Sequence, residues 1–277
     1  TNTVAQGDTR EVGLDAMVAG GFTITRAIQS RSWPAASANL EYAAVWGTLA
    51  AVQETAARVA DDIPVGRIST LLEPQGRAEG NPVRLAENAG VAFQGCIVLG
   101  MGFVLDVTEA QEWIATDPRN AEVLFPYLNG EDLNSRPDAS PSRWVIDFND
   151  RTEADAASYT LPFRRLVERV RAERLWNNRK VYRDYWWQHA EKRPAMRKAI
   201  GGLSEVLVIA LVSKSVMPVR VTTRQVFSHM LGVFALDDYA AQAVLSSSLH
   251  QLWAITYGSG MRNDPRYTPS DVFETFI

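Results

Sequence analysis

Short runs of alternating apolar and polar side chains, followed by stretches with helical periodicity, constrain the fold of this 277-residue chain most. Residues 22–28 alternate as a half-buried strand does, and residues 41–49 are apolar enough for a buried strand. Residues 8–20, before them, have the features of a helix. A helix followed by two adjacent strands is typical of the end of an α/β sheet. The opening of the chain therefore predicts an α/β fold.

Beyond this opening, the apolar pattern predicts both strands and helices. The predicted elements are strands over 93–105 and 143–148, helices over 108–115, from Thr160 and over 239–255, and a hairpin of residues 205–212 and 216–222. Pro218 is expected to place the second hairpin strand at a sheet edge or a bulge. In the last helix, five side chains are expected to lie inside: Val244, Leu245, Leu249, Leu252 and Trp253.

Residues 61–81 are rich in Asp, Pro and Gly, which is typical of a loop between domains. We take this segment as the start of a second domain. The chain is thus expected to contain a first domain over residues 1–60 and a second over residues 61–277.

Charge is concentrated in one window, residues 163–198, although the whole chain has a net charge of only −4. The window holds twelve basic residues against four acidic ones, together with Trp176, Tyr182 and the run 185–187. Such a mixture suits phosphate contact and stacking on nucleic acid, but a solvated helix face above core tryptophans would have the same composition. In the helix from Thr160, apolar residues follow helical spacing and basic ones face away from them. The apolar stripe is Phe163, Leu166, Val167 and Val170, and the outward residues are Arg165, Glu168, Arg169 and Arg171.

Self-sufficient catalytic chemistry is hard to find in the sequence. The three histidines, His189, His229 and His250, have no metal-ligand spacing and are expected to be structural. Gly100-Met101-Gly102 lacks the third glycine of a dinucleotide loop, so we interpret it as close backbone packing. None of the four lysines has an Asp or Glu two positions before it, so the Glu-x-Lys signature of many metal-dependent nucleases is absent from the sequence. The single Cys96 fits a reducing cytoplasm, and no membrane span is expected.

Several longer phrases together resemble one family. They are residues 1–14 (TNTVAQGDTREVGL), 27–30 (AIQS) with Trp33-Pro34, 125–134 (FPYLNGEDLN), 140–144 (SPSRW), 185–187 (YWW) and 267–276 (YTPSDVFETF). In this order they resemble the MmeI-like DNA adenine methyltransferases, which are single-chain restriction-modification enzymes often called type IIL or type IIG. The likeness spans essentially the whole chain.

The resemblance implies a longer parent protein. Members of the family carry a nuclease domain, a helical connector, a Rossmann-like catalytic domain that uses S-adenosylmethionine, and a target-recognition domain. By resemblance, residues 1–60 are the tail of the Rossmann-like methyltransferase sheet, and residues 61–277 are an α+β target-recognition domain. The catalytic Asn-Pro-Pro-Tyr motif is missing, since Asn81-Pro82 continues with Val83-Arg84. The cofactor and the flipped adenine are then expected to bind the upstream part of the parent chain.

Double-stranded DNA is the partner that the resemblance implies. The resemblance also implies that residues 258–271 are a base-reading loop, in which Arg262 can donate to guanine and Asp264 can accept from the paired cytosine. A solvated loop with a local Arg–Asp pair is the alternative. In the basic window, Arg179, Lys180 and Arg183 flank the aromatic cluster and are the candidates for contact with the DNA backbone.

The sequence therefore predicts a fragment of a site-specific adenine-N6 DNA methyltransferase that mainly carries sequence recognition. Two other interpretations stay open, a stand-alone DNA-binding specificity module and an inactive remnant.

Overall fold

The computed structural model describes residues 4–5, 7–34, 41–73, 82–261 and 264–277. The chain divides into two compact units, of which the first comprises Thr1–Leu85 and Leu252–Ile277 and the second Ala86–Gln251. Helices and strands are mixed in both units, as an α/β chain requires. Within the described part of the chain, no helix is long and apolar enough to cross a membrane.

The first unit begins with the predicted helix, which consists of α1 (Gly7–Arg10), a π-helical turn (Glu11–Asp15) and α2 (Ala16–Ala19). Four strands follow: β1 (Thr23–Ser32), β2 (Glu41–Thr48), β3 (Arg58–Ala60) and β4 (Ile63–Val65). They form a sheet in the order β2-β1-β3-β4, in which β1 and β2 are antiparallel and β1 and β3 parallel. The prediction of two adjacent strands after a helix is confirmed.

The second unit contains two four-stranded sheets and the helices that pack on them. Its strands are β5 (Ala92–Gln94), β6 (Val104–Leu105), β7 (Leu124–Leu128), β8 (Arg143–Ile146), β9 (Glu205–Ala210), β10 (Val219–Thr222), β11 (Val226–Phe227) and β12 (Leu231–Phe234). Its helices are α3 (Val107–Thr116), α4 (Gly130–Ser135), α5 (Glu153–Ala157), α6 (Thr160–Arg169), α7 (Arg171–Leu175), α8 (Lys180–Asp184), α9 (Pro194–Ile200) and α10 (Tyr239–Leu245). The sheet orders are β10-β9-β12-β5 and β11-β7-β8-β6, and the core of this unit is built around both sheets.

The chain then continues through α11 (Ser248–Tyr257), which contains the division between the units. In the first unit, β13 (Ser259–Met261) and β14 (Asp264–Arg266) pair as an antiparallel hairpin. The predicted loop over 258–271 therefore contains a short antiparallel ribbon.

The continuous strand predicted over 93–105 is wrong. Only Ala92–Gln94 and Val104–Leu105 are strands, and part of the backbone between them has dihedral angles outside the β region. Leu99 has φ +51° and Gly100 has φ +125°, and Met101–Phe103 forms one turn of 3-10 helix. The apolar run belongs to a loop that is buried at Cys96, Val98 and Phe103 and exposed at Leu99 and Met101. Apolar composition without alternation does not distinguish such a loop from a strand.

The predicted hairpin is confirmed as the antiparallel pair β9–β10, in which Val219 lies opposite Val208. β10 occupies an edge of its sheet, and Pro218 directly precedes it. An edge position needs hydrogen-bond donors on one side only, which explains why a proline is tolerated there.

The single helix predicted over 239–255 is wrong, because α10 ends at Leu245 and α11 begins at Ser248. The hydroxyl of Ser247 accepts a hydrogen bond from the amide of His250, which is how a serine caps a new helix. Three of the five side chains that were expected inside are exposed, and Leu249 is 71% exposed. The other two exposed ones are Val244 and Leu252, whereas Leu245 is buried.

Candidate nucleic-acid interface

The basic window divides into arginines that hold the fold together and cations that face solvent. Its first helix, α6, buries Leu166 and Val170 fully, which confirms the predicted apolar stripe. Arg164, Arg169 and Arg171 point outward. Arg165, which was also expected outside, has a side chain only 12% exposed. The expectation for Arg165 is wrong because periodicity gives the face of a helix but not the loops that cover it.

Arg165 bonds to the loop that replaces the predicted strand. Its guanidinium donates to the carbonyl of Gly102 at 2.9 Å and to that of Val104 at 2.8 Å, and it pairs with Glu109 at 2.7 Å. Burial lowers the pKa of Arg165, and Glu109 opposes that shift. The planar guanidinium fork bonds two carbonyls at once, one in the 3-10 turn and one at the start of β6.

Arg174 on α7 supports the same loop and is only 2% exposed. It donates to the carbonyls of Leu99 at 3.1 Å and Val98 at 2.9 Å, and to that of Gln188 at 3.1 Å. Burial lowers the pKa of Arg174. Two basic residues of the window thus shape residues 98–104, which we call the groove loop.

A third arginine of the window lies in a buried ion pair. Arg197 reaches Asp147 at 2.6 Å, and Asp147 is only 1% exposed. Burial disfavours the charged form of Asp147, but Arg197 and a hydrogen bond from the amide of Asn149 outweigh it and hold its pKa below the usual range. His189 bonds to the carbonyl of Ile146 at 2.8 Å, and burial lowers its pKa. The expectation of a structural histidine agrees with this contact.

The three predicted backbone-contact residues lie together on one short helix. Arg179 immediately precedes α8, and Lys180 and Arg183 belong to it. Arg179 and Lys180 are exposed, although Arg179 bonds to the hydroxyl of Tyr182 at 2.7 Å. Arg183 is half-buried and donates to the carbonyl of Asn177 at 2.6 Å. Arg179 also pairs with Glu191 at 3.8 Å and Lys180 with Asp184 at 4.0 Å. Two of the three side chains are therefore exposed, but each would have to exchange a surface ion pair for a contact with a ligand.

The aromatic residues of the window are divided in the same way. Trp186 and Trp187 are buried and donate to Glu153 and to the carbonyl of Arg151, so they belong to the core. Trp176, at the end of α7, is 89% exposed. The buried tryptophans agree with the interpretation of a solvated face above core aromatic residues, and Trp176 stays available for the predicted stacking on nucleic acid.

A groove of about 970 Å³ opens in the second unit. It is lined by the groove loop, by the start of α4, by α6 and α7, and by residues 228–230. The charged lining residues are Glu131, Arg143, Arg169 and Glu173, and the other polar ones are Tyr127, Asn129, Asn134, Ser228 and His229. The exposed apolar ones include Leu99, Met101 and Met230.

The charged side chains of the groove balance one another in number. Arg143 and Arg169 are matched by Glu131 and Glu173, and none of the four forms an ion pair or side-chain hydrogen bond with another described residue. A site for phosphate alone would carry an excess of cations. A surface with free donors, free acceptors and apolar groups instead suits a ligand that presents all three kinds of group.

Two further polar side chains of the groove, Asn129 and His229, differ in how many of their polar atoms already form hydrogen bonds within the protein. Asn129 caps α4, since its carbonyl oxygen accepts from the amides of Glu131 at 2.7 Å and Asp132 at 3.2 Å. His229 has no hydrogen-bond partner for Nδ1 among the described residues, and burial together with Arg193 lowers its pKa. A neutral imidazole with an unused ring nitrogen therefore lines the groove.

The predicted base-reading pair cannot be placed. Arg262 lies outside the described residues, and Asp264 begins β14 with a side chain that also lies outside them. Sequence analysis gave Arg143 no role, although it lies in the phrase 140–144, and it interpreted His229 as structural, because neither residue type nor spacing shows which side chains the fold brings to one groove. Gly102 does pack closely as expected, because a Cβ there would lie 2.5 Å from Val170. In the described part of the chain, no group of three or more His, Cys, Asp or Glu residues could hold a metal ion.

Comparison with known proteins gives one family and one fold. A family model described as the MmeI target recognition domain matches residues 91–277. The solved structure of the Type IIL restriction-modification enzyme MmeI in complex with DNA is similar to the whole chain, with a TM-score of 0.79 and 16% sequence identity. The chain covers 38% of that protein's length. A search of curated proteins found no match.

Proposed function

Because the chain belongs to the MmeI target recognition domain family, we propose that it supplies DNA sequence recognition to an MmeI-like restriction-modification enzyme. The family match, which covers residues 91–277, is the observation that carries this proposal. The partner is double-stranded DNA. The chain spans less than half of the MmeI chain that it resembles, so methyl transfer and cleavage would belong to the whole parent protein.

The enzyme context that we propose is that of an adenine-N6 methyltransferase. In this proposal, residues 1–60 are the tail of the Rossmann-like catalytic sheet and residues 61–277 are the recognition domain. The parallel pairing of β1 with β3 beside the antiparallel β2 supports the first part. S-adenosylmethionine would supply the methyl group. Gly102 does not fit a cofactor loop, since Val170 fills the space beside it, and the cofactor site is therefore assigned to the upstream part of the parent.

Recognition requires two kinds of contact, and the second unit offers both. The groove has balanced charge, free donors and acceptors, and apolar side chains, so it suits base edges. The exposed cations outside it suit phosphates, which position a protein without specifying sequence. We assign Arg143, Arg169 and Glu131 to base edges, and Arg179, Lys180 and Arg183 to the DNA backbone.

Arg262 and Asp264 remain our candidates for reading one G·C pair on both strands. Replacing the two together, Arg262→Glu with Asp264→Arg, is expected to invert the preference at that base pair. The change is measured by competition between duplexes that differ only there. Retained preference for the original pair would remove this assignment.

The proposed function is tested by binding the purified chain to a randomised duplex pool at several salt concentrations and sequencing the bound fraction. We expect enrichment of one short motif that contains an adenine, with affinity that falls as salt rises. Salt-sensitive binding without enrichment would contradict sequence recognition by this chain. A chain that binds no duplex at all would contradict DNA binding as well.

A further inference from the structure

The groove loop fixes the backbone around Met101 and exposes the Met101 side chain to the groove. Leu99 and Gly100 both have positive φ, and Phe103, at the end of the 3-10 turn, is completely buried. Met101 lies between them, lines the groove and is 70% exposed. A leucine with positive φ persists only where surrounding contacts impose it.

Those contacts come from two buried arginines and one close approach. Arg174 bonds to the carbonyls of Val98 and Leu99, and Arg165 bonds to those of Gly102 and Val104. The backbone is therefore fixed on both sides of Met101. Gly102 also packs against Val170 too closely for any side chain. Rigid placement of a contact residue lowers the entropy lost on binding.

The exposed methionine is not isolated. Leu99 is 37% exposed and Met230 is 40% exposed, and both line the same groove. Three apolar side chains thus share a groove whose charged residues balance in number. A purely ionic ligand would gain nothing from this apolar part, whereas a ligand with one apolar group among polar ones would.

We propose that Met101 is a specificity-determining residue that contacts the 5-methyl group of a thymine in duplex DNA. The thymine methyl is the apolar group that base pairs present in the major groove, beside the donors and acceptors that the groove can match. Methionine is flexible and polarizable, so it can follow the shape of a base edge. Arg165 and Arg174 are positioning residues for this contact. The assignment rests on the proposed function and adds the chemical group that is read.

The test uses uracil, which is thymine without the methyl group. Each thymine on either strand of the selected motif is replaced by uracil in turn, and the affinity of the 277-residue chain is measured. At one position the wild-type chain is expected to lose affinity about fourfold, as for burial of a single methyl group. The Met101→Ala variant is expected to bind both duplexes equally there, and Met101→Leu to keep the discrimination. Met217→Ala changes an exposed methionine outside the groove and is the matched control.

Each outcome decides between the claims. Equal wild-type affinity for thymine and uracil at every position overturns the methyl contact and leaves the proposed function intact. If Met101→Ala still prefers thymine to uracil at that position, another residue contacts the methyl group, and the inference about Met101 is overturned. A chain that enriches no motif overturns the proposed function, and with it this inference. Met101→Ala is expected to keep the wild-type melting temperature, because the side chain is exposed.

Discussion

Replacement of Arg165 by methionine is predicted to destabilise the second unit far more than the same replacement of its neighbour Arg164. Arg165 donates to Gly102 and Val104 and pairs with Glu109, whereas Arg164, the preceding residue of α6, is exposed. The comparison keeps the helix and the type of substitution constant and shifts the site by one residue. It separates an inward arginine from an outward one.

The magnitude follows from the bonds that are lost. Hydrogen bonds to charged groups contribute about 1.5–3 kcal/mol each, and Arg165 makes three. Methionine fills a similar volume and removes the cost of burying the guanidinium, which offsets part of the loss. We expect a net decrease in the free energy of unfolding of about 2–4 kcal/mol for Arg165→Met and under about 0.5 kcal/mol for Arg164→Met.

The assay is urea denaturation followed by circular dichroism. The unfolding of both variants is compared with that of the wild-type chain, with attention to separate transitions of the two units. Arg165→Lys is expected to fall between wild type and Arg165→Met, because an ammonium cannot reach both carbonyls with a fixed fork. Equal stabilities of the Arg164 and Arg165 variants would refute the support that Arg165 gives to the groove loop.

Three further predictions follow from the same structure. Gly102→Ala is expected to lower the free energy of unfolding by about 1–3 kcal/mol, since its Cβ would lie 2.5 Å from Val170. Gly202→Ala is the control, because a Cβ at that position meets no atom within 4 Å. Equal melting temperatures of the two variants would contradict the close packing of Gly102. His189, His229 and His250 have pKa values lowered mainly by burial, so the unfolded chain binds more protons below about pH 6.5. The free energy of unfolding should fall as the pH decreases from 7.5 to 5.5, and a flat profile would contradict neutral buried imidazoles. Alanine at Arg179, Lys180 and Arg183 together should weaken binding to all duplexes alike and reduce the salt slope by about 2–3; unchanged affinity would remove them from the interface.

The sequence predicted the elements whose pattern is set locally. Periodicity predicts the stripe of α6, two β-branched runs predict the hairpin β9–β10, and Pro218 predicts the edge position of β10. The structure has all three. A helix stripe depends on spacing within a few residues, and a hairpin depends on two neighbouring strands. Such features need no knowledge of distant parts of the chain.

The errors arose where distant residues decide the outcome. Residues 93–105 looked like a strand, but Arg165 and Arg174, more than sixty positions away along the chain, satisfy the loop carbonyls in place of a neighbouring strand. Charge also misled, because the twelve basic residues of the window include arginines that serve the fold. Composition shows how many cations a segment holds, but only packing shows which of them are free.

The candidate groove was beyond sequence reasoning for the same reason. Arg143 begins β8, Arg169 ends α6 and His229 follows β11, and the fold brings all three to one surface. The resemblance did identify the target recognition domain family, because its phrases are long enough to be specific.

The most direct test of base reading by the groove is to repeat the selection from a randomised duplex pool with Arg143→Ala. This account predicts that the enriched motif changes at one or two positions while binding to duplex DNA persists. Arg224→Ala, which removes an exposed cation outside the groove, should weaken binding at most and leave the motif unchanged. The same motif from the wild type and from Arg143→Ala would contradict base reading by Arg143 in the groove.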